Sequence, residues 1–146
     1  MFYHDEEIAK DFTQDFFLKL EKHAPSFKAQ QSAKTWMFTI ASNMCKNEWR
    51  KNNIRHQHHA NLAIQDAYHQ KTEESIDQKT IKETLERALH SLEVDDRNII
   101  ALRYQQECSI AEIAAIMNLP EGTVKSRIFY LLKKLRKQIN TQLQTN

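Results

Sequence analysis

The segment "GTVKSRIFYLLKK" brings Lys125, Ser126, Arg127, Tyr130, Lys133 and Lys134 within ten residues of one another. Side chains of these types suit one kind of chemistry, the binding of a polyanion and the reading of its polar edges. Arginine offers a planar fork of donors that matches guanine, lysine is a point charge for phosphate, and hydroxyls both donate and accept. From Gly122 to Asn146 there are six basic residues and no acidic one. A basic helix that is merely solvated would carry the same charge, so charge alone leaves both readings open. Covalent chemistry has less to work with: no nucleophile–base set and no phosphate-cradling glycine loop is present, so no enzyme is expected. In "HQHH", His56 and His59 could share a helical face and ligate a metal with Asp66 or His69. Their spacing matches no known ligand pattern, and neither a metal site nor a cofactor is expected. Cys45 and Cys108 are far apart and in no CxxC pair, which argues against a disulfide framework or a cysteine zinc site.

The elements that must position these residues are helical. One glycine and two prolines in 146 residues leave little room for the turns of a β fold, while alanine, glutamine, lysine, glutamate and leucine favour helix. The expected fold class is all-α, as two small helical domains. Net charge is +2, but residues 96–146 hold 8 basic and 4 acidic side chains, which suggests an anionic partner for that part. No apolar run approaches a membrane span and the N-terminus is too polar for a signal peptide, so a cytoplasmic protein without membrane insertion is expected.

Apolar residues Ile8, Phe12, Phe16, Phe17 and Leu20 recur at helical spacing, and Pro25 should end that helix. Ser32 can cap a second helix over about 33–52 that buries Trp36, Met37, Ile40, Met44 and Trp49. Residues 54–79 read as a polar linker between domains 1–53 and 80–146. In the second domain, Thr80 with Glu83 and Ser109 with Glu112 have capping-box spacing. Ile81, Leu85, Ala88, Leu89 and Leu92 trace one apolar face, Asp95 or Asp96 can cap the next helix, and Asn118 suits the left-handed residue that closes a helix.

The last helix is expected from Glu121 to about Ile139, with Val124, Ile128, Leu131, Leu135 and Ile139 inside. A short capped helix, a turn and a basic amphipathic helix make a helix-turn-helix, whose second helix enters the DNA major groove. Gly122, the only glycine, would clear space where the backbone nears phosphate or a neighbouring helix, beside the free N–H groups of a helix start.

These residues carry a resemblance. "SIAEIAAIMNLPEGTVKSRIFYLLKKLRKQI" resembles region 4 of the bacterial sigma factors of the extracytoplasmic-function class, whose pattern is close to S-x-x-E-I-A-x-x-x-x-x-P-x-G-T-V-K/R-S-R. Independently, "DFTQDFF" resembles the region 2 motif D-x-x-Q-E-x-F, and "SFKAQQSAKTWMFTIASNMCKNEWRK" resembles the loop and helix that open and read the -10 element. The resemblance implies a dissociable subunit of RNA polymerase that chooses promoters and starts transcription. It implies that Asp11, Gln14, Asp15 and Phe17 bind the polymerase core. Phe27, Lys28, Trp36, Asn43, Lys46, Asn47 and Arg50 would hold the single strand at -10. Thr123, Lys125, Ser126, Arg127 and Tyr130 would read the -35 duplex, with Lys133 and Lys134 towards phosphates. Partners are then core polymerase and promoter DNA, and an anti-sigma factor could join them.

The chain departs from the pattern at three points. Ten residues precede Asp11 where the family usually has another helix or two, so Phe12, Phe16 and Trp36 are expected to be thinly covered. Asp15 replaces a glutamate, and Tyr130 and Leu132 stand where arginines are common. A polymerase- or DNA-binding regulator that does not itself initiate is the alternative function, and an ordinary helix-turn-helix repressor would leave "DFTQDFF" unexplained.

Overall fold

The structure, a computed structural model, describes residues 6–30, 32–58 and 76–144. Among them it is all-α, with α1 (Glu6–His23), α2 (Ala33–His58), α3 (Ile76–His90), α4 (Val94–Tyr104), α5 (Ile110–Met117) and α6 (Glu121–Gln144). The chain forms two compact units, one of residues 1–69 with 115–117 and the other of residues 70–114 and 118–146.

In the N-terminal unit α1 packs on α2. Pro25 stops α1 as expected: the chain tightens into a single 3₁₀ turn at Ala24–Ser26 and then extends at Phe27, with φ −70° and ψ 126°. Proline cannot donate to the helix ladder and disfavours helical geometry in the residue before it. Ser32 caps α2, its Oγ accepting the Thr35 N–H at 3.3 Å. The helix runs to His58, past the expected end near 52, because no glycine or proline in "NNIRHQH" breaks it.

Burial in α2 is concentrated at mid-helix, at Ser42, Met44 and Cys45. Met37 and Trp49, expected inside, are 39% and 38% exposed. They flank the covered level, and helical spacing tells which way a residue points without telling how far along the helix its cover extends. Phe12, Phe16 and Trp36 are half-buried.

The C-terminal unit has a dense interior. Ala88, Leu92, Ile100, Leu131 and Leu135 form one buried cluster, with Leu89 and Ile139 packed against it. Val124 and Ile128 extend the same stripe on α6, which is thus the apolar face read from the sequence. The face of α3 differs from expectation. Ile81 and Leu85 are 52% and 41% exposed, whereas Thr84 is fully buried. The inward line of α3 is Thr84 and Ala88, continued by Leu92 just past the helix end. α3 also begins before Thr80, so Thr80 lies inside the helix and is not its cap. Nor do Asp95 or Asp96 cap α4. The helix opens at Val94, after Glu93, which leaves both aspartates in its first turn.

Other local signals behave as read. Ser109 and Glu112 form a reciprocal capping box: the Ser109 N–H donates to Glu112 Oε2 at 2.7 Å and the Glu112 N–H to Ser109 Oγ at 3.1 Å. Asn118 takes the left-handed conformation at φ 53°, and the Leu119 N–H reaches back to the Ala114 carbonyl at 2.9 Å. That six-to-one bond is the mark of a Schellman ending. Pro120 sits just ahead of α6, its carbonyl accepting the Val124 N–H at 3.1 Å. Arg97 fastens the α3–α4 corner, donating through Nη2 to the carbonyls of His90 at 2.9 Å and Leu92 at 3.1 Å. A cation there satisfies carbonyls that the end of α3 leaves without helical partners.

Of the histidine group weighed for metal binding, His59, Asp66 and His69 lie outside the described residues. Among the described residues no three metal-ligating side chains converge. No helix there is long and apolar enough to cross a membrane.

Candidate nucleic-acid interface

With the apolar stripe of α6 turned inward, helical geometry fixes what the opposite side presents. At 3.6 residues per turn, Ser126, Tyr130 and Lys133 fall on the outer side of the helix, and Thr123, Arg127 and Lys134 continue the same band along its flank, next to Leu131. Ser126, Tyr130, Lys133 and Lys134 are exposed, and Thr123 and Arg127 are half-buried. Ser126 Oγ donates to the Thr123 carbonyl at 3.0 Å, which leaves its lone pairs free to accept. Arg127 Nη1 lies 3.6 Å from Oδ1 of Asp96 on α4, an ion pair that sequence reading did not anticipate. Tyr130 meets Phe129 edge to face, ring centroids 5.4 Å apart. Lys125 does not join the band. It lies on the other flank, one turn before Phe129, with Leu132 and Arg136 further along. The arrangement can attract a polyanion and present hydrogen-bonding groups to it from one rigid helix.

Gly122 occupies the first turn of α6. Its φ is not positive, and a Cβ built on it would meet nothing within 4 Å. Neither backbone strain nor a neighbouring helix therefore requires glycine here. Of the two reasons considered for it, close approach from outside is the one left standing.

In the N-terminal unit two further groups assemble. Phe27 and Trp36 pack with ring centroids 5.2 Å apart, tilted by 54°. Trp36 also begins a line along α2 that continues through Asn43, Asn47 and Arg50, spaced by seven, four and three. Asn43, Asn47 and Arg50 are exposed, while Lys46 is half-buried on the flank of that line. Lys28 is exposed in the connection after the 3₁₀ turn. On α1, Asp11, Gln14 and Asp15 share an exposed face. Phe17 is 63% exposed but sits beside that face, its ring 5.8 Å from that of Phe16. Leu18, 62% exposed, completes the face. Sequence reading passed it over, although the spacing 11, 14, 15, 18 already carried the signal.

Comparison with known proteins agrees with both units. Residues 1–54 match the model of Sigma-70 region 2, and residues 82–135 match that of Sigma-70, region 4. The ECF RNA polymerase sigma-E factor of Haemophilus influenzae is 31% identical over 144 residues, covering 92% of this chain and 74% of the relative. The ECF RNA polymerase sigma factor SigW of Bacillus subtilis is 29% identical over 140 residues, covering 90% and 75%. Among solved structures, the sigma factor RpoE of Bartonella quintana, crystallised with the anti-sigma factor NepR, aligns with a TM-score of 0.75 at 28% identity. That alignment covers 95% of this chain and 85% of that one. Two separate domain matches in the right order, a relative above 30% identity and a shared fold lead to one conclusion. The chain belongs to the sigma-70 family, as an RNA polymerase sigma factor of the extracytoplasmic-function class that directs transcription initiation and is not itself an enzyme.

Proposed function

We propose the following division of labour for this sigma factor. Residues 80–146 form the module that reads the -35 element as duplex DNA, through the α6 band of Thr123, Ser126, Arg127 and Tyr130, with Lys133 and Lys134 on phosphates. Lys125 contacts the duplex from the other flank. Residues 1–53 form the module for strand opening. Phe27 and Trp36 supply a stacking platform for unpaired bases of the -10 element, and Lys28, Asn43, Lys46, Asn47 and Arg50 follow the strand. The α1 face of Asp11, Gln14 and Asp15, extended by Phe17 and Leu18, docks on core polymerase. Residues 54–79 link the modules. The protein acts in the cytoplasm, and, as with the neighbour solved beside NepR, an anti-sigma factor is a fitting partner.

The observation that carries this reading is the α6 band itself. A continuous run of hydroxyl, guanidinium and ammonium groups backs directly onto a buried apolar stripe, so the reading face is held by the core. Run-off transcription with purified core polymerase tests it. Transcripts that depend on the added chain are expected, and Asp11→Ala with Asp15→Ala should abolish them by preventing assembly. Competition with other sigma factors without any transcript would favour the non-initiating regulator instead.

A further inference from the structure

The geometry points to Asp96 as a positioning residue for promoter reading: its carboxylate holds the Arg127 guanidinium in the orientation that reads a base. The inference rests on the assignment of Arg127 to base reading made above. Asp96 stands in the first turn of α4, where the helix start favours a negative charge. It reaches α6 at a single point, Oδ1 lying 3.6 Å from Arg127 Nη1, with the two side chains 28% and 40% exposed. Among the described residues that carboxylate, at ion-pair and not hydrogen-bond distance, is the one polar partner of Arg127. The Nε–H and Nη2 donors, an edge that can fork onto guanine O6 and N7, are therefore left for a ligand.

Two consequences follow from elementary electrostatics and entropy. A free arginine samples many rotamers, and fixing it on a base costs the freedom it loses; a guanidinium already held by a carboxylate loses less. A carboxylate beside the guanidinium also repels phosphate, the competing ligand for any arginine on DNA. Asp96 thus favours the base edge over the backbone, and its effect is on specificity more than on affinity. Neutralising it should make DNA binding less selective while strengthening it on arbitrary sequence. A residue that merely supported the fold would weaken both.

The test uses holoenzyme assembled from core polymerase and the full chain, and a pool of promoter-length duplexes randomised across the upstream element. Bound DNA is sequenced to give base preference by position. Arg127→Ala is expected to flatten preference at one position, on the order of 10- to 100-fold. Asp96→Asn should lower preference at that same position about two- to fivefold while binding to scrambled duplex rises. Asp96→Glu should restore part of the preference, and Asp96→Asn combined with Arg127→Ala should be no less selective than Arg127→Ala alone. Unaltered preference in Asp96→Asn, or equal loss at every position, would overturn the role of Asp96 while leaving Arg127 as reader. Should Arg127→Ala itself flatten no position, the base-reading assignment falls, and the role of Asp96 falls with it. Thermal unfolding of Asp96→Asn serves as the control for folding.

Discussion

The two units of this sigma factor are built to different densities. In the C-terminal unit Ile99, Ile113, Val124, Thr84 and Cys108 have almost no solvent exposure, and one cluster ties α3, α4 and α6 together. Among the described residues of α1, the 3₁₀ turn and α2, only Ser42, Met44 and Cys45 are buried, while Ile8, Phe17, Leu18 and Trp49 stand out in solvent. The contrast fits the ligands proposed for the two units. A duplex has a fixed groove, and a helix that reads it must keep its own geometry before contact. Unpaired bases and polymerase helices can supply apolar cover of their own, so the unit that meets them can leave apolar surface open.

The largest expected effect tests the difference in density. Leu131→Ala removes a central member of the α3–α4–α6 cluster and should destabilise the C-terminal unit by about 2–5 kcal/mol. Phe17→Ala, at an exposed position on α1, should change stability by about 0.5 kcal/mol or less. Denaturant unfolding, followed by amide hydrogen exchange to assign each change to its unit, checks both. Equal losses from the two substitutions would mean that the units are not built differently after all.

The same contrast explains how much could be read from the sequence. Most signals that act within a turn or two were legible, although Thr80 and Asp95 or Asp96 do not cap their helices, which start further upstream. Pro25, Ser32, Pro120, Asn118 and the Ser109–Glu112 box all work through backbone groups a few residues away, so the residues themselves encode the outcome. The α6 stripe was legible too, because a helix packed along much of its length keeps its period. Features that depend on distant cover were not. Thr84 sits in the interior where Ile81 and Leu85 were expected, and Met37 and Trp49 lie beyond the buried level of α2. For the candidate site, sequence spacing located the α6 band but not the Asp96 contact, because those residues lie on different helices and no local pattern joins them.

A smaller effect sharpens the division of ligands. Trp36 packs on Phe27 at the start of the α2 line, and a base stacked there is worth about 1–3 kcal/mol. Trp36→Ala in holoenzyme should therefore weaken capture of a single-stranded -10 oligonucleotide by that amount and leave duplex -35 binding nearly intact. Fluorescence anisotropy with the two labelled probes separates the outcomes. A matching loss on the duplex would show that Trp36 acts through the fold and not through the strand.

The smallest effect concerns Gly122 and should have opposite signs in two assays. Its backbone is ordinary helix and the space beside it is empty, so Gly122→Ala introduces no clash within the protein. Alanine is the better helix former, by up to about 1 kcal/mol in a helix interior and by less in a first turn. The thermal midpoint should therefore rise slightly. Duplex DNA supplies what the isolated protein lacks, a surface close to that Cα. If phosphate approaches the free N–H groups at the start of α6, the added methyl stands in its path, and affinity for the -35 duplex should fall while stability rises. Such a split cannot come from loss of structure, because loss of structure would lower both. An increase in both quantities would mean that no backbone or phosphate comes near this position, and that its one glycine serves neither the fold nor the reading of DNA.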